Sequence, residues 1–151
     1  MSYERVLLCI DGEETPSNDA YKHAIRFARQ NNATLYLCTV INPKPYGTLA
    51  RFDRYVVDKV KKAAQIKLEQ FLLHTQAEGV SSQTILETGV PSIKISKQIV
   101  PAYNIDLIVA GATGGTKLEK ALQGSVTSAI IKKAKCDVFV VRTEERERAS
   151  V

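Results

Sequence analysis

The feature that most constrains the fold is a run of five apolar residues near the amino terminus, Val6 to Ile10. A strand with one face in water alternates apolar and polar residues. This run is apolar throughout, as in a parallel sheet that helices cover on both faces. Largely apolar runs recur from Asp106 to Ala110 and from Asp137 to Arg142, with helical patterns between the strands. The alternation predicts a doubly wound α/β fold with right-handed crossovers.

Two further strands are predicted between these runs. Ala33 to Ile41 reads as the second strand, and Ser82 to Thr88 as the third. The third is less apolar than the others, so we expect it at an edge of the sheet. A long amphipathic helix is predicted from about Phe52 to Ala77. The chain of 151 residues is predicted to form a single domain, residues 1–151, since one domain takes ~100–200 residues.

The helix boundaries are predicted from capping residues and prolines. Thr15 as N-cap with Pro16 at the first helical position predicts the start of the first helix, which Asn31-Asn32 ends. A short helix after the third strand is expected to kink or end at Pro101. The helix that follows Ser125 is expected to run to about Lys135. The charged residues 143–151 are expected to form a frayed tail.

A glycine-rich segment follows the fourth strand, from Gly111 to Thr127. Glycine lets a backbone approach phosphates closely, and Ser125 stands where a helix would take its N-cap, so free N–H groups would face a ligand. Lys117 is followed by Leu118 and not by Ser or Thr, so the segment is no Walker A loop. The alternative for the glycines alone is an ordinary strand-to-helix connection.

The spacing of this segment resembles a known signature. Gly111, Gly114 and Gly124-Ser125 form the pattern G-x-x-G-x9-G-[S/T], which resembles the nucleotide-binding signature of the universal stress protein family in its ATP-binding branch. The flanking segments Val6 to Gly12, Asp106 to Gly111 and Asp137 to Val141 resemble the same family. The resemblance extends from about Glu4 to Arg142.

The resemblance implies a five-stranded parallel sheet in the order 3-2-1-4-5, with helices on both faces. The first and fourth strands would then be neighbours, which brings Asp11 and Gly111 to one crevice at the carboxyl ends of the strands. It implies ATP as the ligand, with Mg²⁺, which Asp11 could help to bind. The alternative for Asp11 is a turn or helix-entry carboxylate. The implied cofactor-binding residues are Cys9, Asp11, Val40, Ala110, Gly111, Thr113, Gly114, Gly124, Ser125, Val126 and Thr127.

Two departures from the family pattern bear on phosphate binding. The family often has a basic or imidazole side chain where Thr113 stands. Glu13 and Glu14 follow Asp11 where the family usually has small polar residues. Their charges would repel phosphates unless Mg²⁺ lies between.

The function that the resemblance implies is an ATP-binding regulatory module of the stress response. It would act through nucleotide-dependent dimer or partner interactions. One alternative is a slow ATPase, although no catalytic residue is assigned: His23 and His74 lie far apart, and no Ser-His-Asp set can be assembled. Another is a protein-interaction domain that does not bind nucleotide.

Charge and cysteines limit the other function classes. The net charge of +5 is mild and the lysines are scattered, so nucleic acid is not expected as a partner. Cys9, Cys38 and Cys136 are widely spaced and form no C-x-x-C, so we expect buried thiols in a reducing compartment. Neither a signal peptide nor a membrane-spanning run is found, which predicts a cytoplasmic protein without membrane insertion.

The last strand predicts a homodimer. Asp137 to Arg142 is apolar and should lie at an open edge, where unpaired backbone groups favour pairing with a second copy. The family commonly forms dimers there. The alternative is a monomer whose edge the tail covers. A protein partner beyond the dimer is expected but is not identified.

Overall fold

The computed structural model describes residues 2–10, 15–16, 18–43, 54–113 and 126–143. Five strands form one sheet: β1 (Arg5–Cys9), β2 (Thr34–Ile41), β3 (Ser82–Thr88), β4 (Leu107–Thr113) and β5 (Asp137–Thr143). The helical segments are α1 (Asp19–Asn31), α2 (Arg54–Ala77), α3 (Pro91–Ile93), a π-helical segment (Lys94–Ile99), α4 (Val100–Tyr103) and α5 (Val126–Lys133). Residues 91–103 are continuous, and we call them the composite helix.

The sheet is parallel throughout, with the order β3-β2-β1-β4-β5. This order and the helices around the sheet confirm the predicted fold class. β3 lies at one edge, as its weaker apolar character predicts, and β5 lies at the other. The central strand β1 is covered on both faces, because Val6, Leu7 and Leu8 are all at most 1% exposed.

Two apolar clusters lie on opposite faces of the sheet, because successive side chains of a strand point to opposite faces. On one face Val6 and Leu8 pack with residues of α1 and α2, among them Ala24 and Phe71. On the other face Leu7 packs with residues of the composite helix and α5. That second cluster contains Tyr36, Cys38, Ile85, Ile95, Ile99, Val100, Ile105, Ile108 and Ile130.

The first helix begins later than the sequence predicts. Asn18, not Thr15, is the N-cap residue, with an extended backbone, and α1 starts at Asp19. The Asn18 side-chain oxygen accepts hydrogen bonds from the Thr15 backbone N–H at 2.8 Å and from its hydroxyl at 2.6 Å. The Asn18 N–H also donates to the Thr15 carbonyl at 3.0 Å, which closes a turn before the helix begins. The predicted end is confirmed, because Asn32 is in the left-handed conformation that ends a helix.

Pro101 does not end the composite helix. Upstream of the proline the helix widens, and the Val100 N–H donates to the Ile95 carbonyl five residues back. A proline ring clashes with the carbonyl four residues before it and supplies no N–H. The wider turn accommodates both effects, and the helix continues to Tyr103 before Asn104 ends it with φ 52°. Such π-helical turns are rare.

The fourth strand is longer than predicted. It continues past Ala110, and its last three residues are registered with β5, from Gly111↔Val141 to Thr113↔Thr143. Gly111 therefore belongs to a strand and does not begin a loop. Thr143, predicted to lie in the tail, is the last residue of β5, and the rest of the tail lies outside the described residues.

Candidate functional site

The candidate site lies at the carboxyl edge of the sheet, between β1 and β4. The chain forms β1, β2 and β3 outward in one direction and then crosses back to form β4 and β5, so the strand order reverses here. β1 and β4 are registered only from Val6↔Leu107 to Leu8↔Val109. Beyond Leu8, β1 stays registered with β2, and β4 with β5. In open α/β sheets, ligands bind at such a reversal, outside the carboxyl ends of the strands.

The β1–β2 side of the site carries Cys9 and Val40. Cys9 is the last residue of β1 and is registered with Cys38 of β2. Cys9 and Val40 are partly buried and pack against the apolar cluster on the composite-helix face, to which Cys38 belongs. All three side chains therefore lie on one face, at or near the carboxyl ends of their strands.

Two hydrogen bonds hold the chain to β2 one residue beyond the end of β1. The Ile10 N–H donates to the Cys38 carbonyl at 2.8 Å. The Thr39 hydroxyl donates to the Ile10 carbonyl at 2.9 Å. Both backbone polar groups of Ile10 are thus satisfied by β2, which fixes the point where the chain continues into Asp11.

The β4 side of the site is formed by Ala110 and Gly111. Ala110 is buried and Gly111 is partly exposed. Ile108 belongs to the composite-helix cluster, so alternation puts Ala110 on that same face. Ala110 and Gly111 therefore provide small residues on the β4 side of the site, across the crevice from Cys9 and Val40.

Helix α5 begins at this same edge, because it returns from the end of β4 toward the start of β5. Thr127 lies in its first turn and is partly buried. The first N–H groups of a helix have no acceptor within it, so they are available to a ligand. Ile130 is 1% exposed and belongs to the composite-helix cluster, which anchors α5 to the sheet.

The structure thus brings five of the predicted site residues to one edge of the sheet. They are Cys9, Val40, Ala110, Gly111 and Thr127. Two others, Thr113 and Val126, are end residues of β4 and α5, and only their backbone is described. The remaining four lie outside the described residues: Asp11, Gly114, Gly124 and Ser125.

An ion pair beside Val40 is not among the predicted site residues. Glu87 is registered with Val40, and its carboxylate lies 3.5 Å from the Lys94 ammonium group at the start of the π-helical segment. The Lys94 side chain is 22% exposed and the Glu87 side chain 43%. The signal that could have placed this pair beside Val40 is the β2–β3 register, which a single sequence does not display.

The electrostatics of the β1–β2 side are dominated by burial. Burial raises the pKa of the Cys38 thiol far above its ordinary value, and the neighbouring Cys9 and Glu87 raise it further. Cys38 is therefore protonated at neutral pH. With Cys9, Val40 and Ala110 beside it, this side of the site is small and apolar, which suits the flat face of a heterocyclic base.

No cluster of three or more His, Cys, Asp or Glu side chains suited to a metal ion occurs in the part of the chain that the structure describes. Among the helices described, none is both long and apolar enough to span a bilayer.

The fold is that of a doubly wound α/β protein, with a candidate ligand site where its strand order reverses. The chain belongs to the universal stress protein family, whose sequence profile matches residues 2–142. A protein of Staphylococcus aureus strain USA300 that is named for this family is 33% identical over 146 residues, which cover 96% of this chain and 87% of the relative. A Staphylococcus haemolyticus protein named in the same way is 31% identical, with 96% and 88% covered.

Solved structures share the fold. The universal stress protein UspA from Lactobacillus plantarum superposes with a TM-score of 0.75 at 26% identity, covering 94% of this chain and 99% of its own. A universal stress protein solved in complex with cAMP gives 0.68 at 22% identity, with 95% and 99% covered. The Archaeoglobus fulgidus protein solved in complex with dAMP gives 0.66 at 18% identity, with 93% and 99% covered.

Proposed function

We propose that this protein is a single nucleotide-binding domain, residues 1–151, that binds ATP with Mg²⁺ in the crevice between β1 and β4. ATP occupancy would regulate a dimer or partner interaction in the stress response. The observation that carries the proposal is the convergence of Cys9, Val40, Ala110, Gly111 and Thr127 on the edge where the strand order reverses.

The chemistry of these residues supports a nucleotide in a defined orientation. The base would lie against the apolar side formed by Cys9 and Val40, within reach of the β2 backbone. The ribose and phosphates would lie toward Gly111 and the first turn of α5, where helix N–H groups favour negative charge. Gly114, Gly124 and Ser125 would complete the phosphate site, and Asp11 would approach Mg²⁺.

The relatives support the same class of ligand. Two solved proteins of this fold are complexes with cAMP and dAMP. Both ligands contain adenine, which the apolar side of the crevice would accept.

Equilibrium binding tests the proposal. Titration of the full chain with ATP and with GTP, each with Mg²⁺, should give a saturable signal at one site, with ATP bound more tightly. Release of hydrolysed phosphate, followed in the same samples, measures any turnover. The absence of ATP binding at millimolar concentration would refute the proposal and favour an interaction domain that does not bind nucleotide.

Two substitutions distinguish a phosphate site from a plain connection. Gly114→Val should abolish binding, because a branched side chain would take the space of a phosphate, while circular dichroism stays that of the folded protein. Thr127→Val keeps the shape of the side chain and removes its hydroxyl. It should weaken ATP binding by about tenfold or more, since a hydrogen bond to a charged group contributes ~1.5–3 kcal/mol. Ser128→Ala, one position further along the same turn, is the control and should change affinity less than Thr127→Val.

We also propose a homodimer that pairs β5, Asp137–Thr143, with its copy around a twofold axis. β5 is an edge strand of the sheet, and a sheet edge presents N–H and C=O groups to a second chain. Successive N–H groups of a strand point to opposite sides. Of Phe139 and Val140, one therefore donates toward β4 and the other toward the open edge.

Phe139→Pro and Val140→Pro therefore form a matched pair. The proline whose lost N–H faced the open edge should leave the protein folded and make it monomeric, because proline is tolerated at an edge but blocks further pairing. The other proline should destabilise the fold. Sedimentation velocity at micromolar concentration reports both. A wild-type monomer, or two folded variants that stay dimeric, would exclude this interface.

A further inference from the structure

Two thiols lie side by side under the candidate site. Cys9 and Cys38 are directly registered in the parallel β1–β2 pair. Registered side chains leave the same face of a sheet, and neighbouring strands are about 4.7–4.9 Å apart. That spacing falls within the range of about 4.4–6.8 Å between Cα atoms that a disulfide allows. The hydrogen bonds of Ile10 to Cys38 and Thr39 keep β1 and β2 in this register at Cys9.

The two thiols differ in access. Cys38 is 1% exposed, whereas Cys9 is only partly buried. A small oxidant that enters from the carboxyl edge therefore meets Cys9 first. The raised pKa of Cys38, which burial causes, keeps that thiol protonated and protects it from direct attack. Because a protonated thiol is a poor nucleophile, any reaction of Cys38 depends on a partner that is already beside it.

We propose that Cys9 and Cys38 are a peroxide-sensitive thiol pair that closes to a disulfide at the floor of the candidate site. The Cys9 sulfur attacks one oxygen of hydrogen peroxide, the O–O bond breaks, and the products are a sulfenic acid and water. The Cys38 sulfur then attacks the Cys9 sulfur and the S–O bond breaks. The hydroxyl group leaves as water with the Cys38 proton. Two thiols are oxidised and one peroxide is reduced, and an external thiol reverses the change.

The third cysteine is an internal control. Cys136 immediately precedes β5, whose first residue Asp137 is level with Leu107 and thus with Val6. Cys9 lies four residues nearer the carboxyl ends of the strands than Cys136 does, a distance of about 13 Å along the strands at ~3.3 Å per residue. It also lies two strands away from β5. This separation exceeds the limit of about 7 Å for a disulfide, so Cys136 cannot join the pair within one folded chain.

The test is oxidation of the full folded chain with hydrogen peroxide, followed by denaturation in a maleimide reagent and intact mass measurement. Wild-type protein, with three cysteines, should change from three maleimide labels to one, and peptide mapping should find a Cys9–Cys38 crosslink. Cys136→Ser should form the crosslink at the wild-type rate. Cys9→Ser should retain all its remaining labels over the same period, and so should Cys38→Ala, which adds no buried hydroxyl.

Three results would overturn the proposal. They are conversion of Cys9 to sulfinic acid without a crosslink, a crosslink that includes Cys136, or a Cys9–Cys38 crosslink that forms only in urea. Because Cys9→Ser alters the more accessible thiol, its folding is expected to be preserved. The presence or absence of the crosslink in the wild-type protein tests the proposal even if Cys38→Ala does not fold.

A second measurement links the pair to the site and rests on the proposed function. Saturating Mg²⁺ and ATP should slow the oxidation at least fivefold, and the oxidised protein should bind ATP more weakly than the reduced protein. If the crosslink forms but ATP does not bind, the proposed function fails and the thiol pair stands. If ATP binds and changes neither rate nor affinity, the link between the pair and the site is refuted.

Discussion

Replacing Ile130 by alanine should show how much the packing of α5 against the sheet contributes to stability, without changing the residues of the candidate site. Ile130 is 1% exposed and lies in the cluster between the sheet and the composite helix. It is three residues beyond Thr127 in the same helix. The substitution leaves the crevice residues unchanged and removes the fully buried side chain with which α5 packs against the sheet.

The expected cost follows from burial. Ile130→Ala removes three buried carbon atoms, which at about 0.8 kcal/mol each account for about 2.4 kcal/mol of transfer free energy. The cavity that remains adds to this, and measured costs of such changes are about 2–5 kcal/mol. We therefore expect a loss of about 3 kcal/mol in the free energy of unfolding. With a urea m-value of about 1–3 kcal/mol/M, the midpoint should fall by about 1–3 M.

Ile131→Ala is the matched control, because the next residue has the same side chain and is 46% exposed. Substitutions at exposed positions usually change stability by less than about 0.5 kcal/mol. Urea unfolding followed by circular dichroism measures both variants. Equal losses, or a larger loss for Ile131→Ala, would refute the assigned orientation of α5. If the proposed function holds, Ile130→Ala should also weaken ATP binding at urea concentrations where the protein is still folded.

Three further predictions concern other parts of the sheet. Asp106→Ala should destabilise the protein by about 1–3 kcal/mol in urea unfolding, since its carboxylate accepts the backbone N–H groups of Glu4 at 2.8 Å and Arg5 at 3.0 Å. Asn104→Ala should cost about 1–2 kcal/mol and Asn104→Gly almost nothing, because this residue has φ 52°. Burial, then Asp137 and Asp106, raise the pKa of Cys136 from 9.0 to about 11. Alkylation of Cys136 should therefore keep accelerating above pH 9 in the folded protein but level off near pH 9 in urea. The stability linked to this thiol should be complete below pH 9 and lost as the pH rises toward 11.

The sheet was predictable because its signal is local. A run such as Val6 to Ile10 is apolar at every position, and only a strand covered on both faces requires that pattern. The predicted order of the strands came from the family resemblance. The apolar pattern within one strand indicates which of its residues are buried, but it does not indicate which strand lies beside it.

The wrong predictions lie where the local sequence is compatible with two different structures. Thr15 and Asn18 are both of residue types that favour the N-cap position, and the sequence does not show that a turn from Thr15 to Asn18 precedes the helix. Pro101 is a helix breaker by propensity, yet a helix packed against the sheet can widen and continue. Gly111 has little strand propensity, but pairing with Val141 keeps it in β4. At Gly111 a partner outside the local pattern, Val141 of β5, determines the outcome.

The candidate site, like the fold, could be predicted from the sequence only in part. Cys9, Val40 and Gly111 could be assigned to one edge as soon as strand order was assumed. The position of the Glu87–Lys94 pair beside Val40 and the pairing of Cys9 with Cys38 could not, because each depends on which residues of neighbouring strands are level. A shift of one residue in the β1–β2 register would put the two thiols on opposite faces.

The composition of the crevice also bears on how a ligand could be recognised there. Cys9, Val40, Ala110 and Gly111 are small or apolar, so apart from Thr127 and the neighbouring Glu87–Lys94 ion pair the described residues offer few side-chain hydrogen bonds. A nucleotide would therefore depend on backbone groups: those of β2 for the base and the first N–H groups of α5 for the phosphates. Backbone groups are available whatever the side chains are, provided that the strands keep their register. The side chains that must be retained are those whose size leaves the backbone accessible, which is the role expected of Ala110 and Gly111.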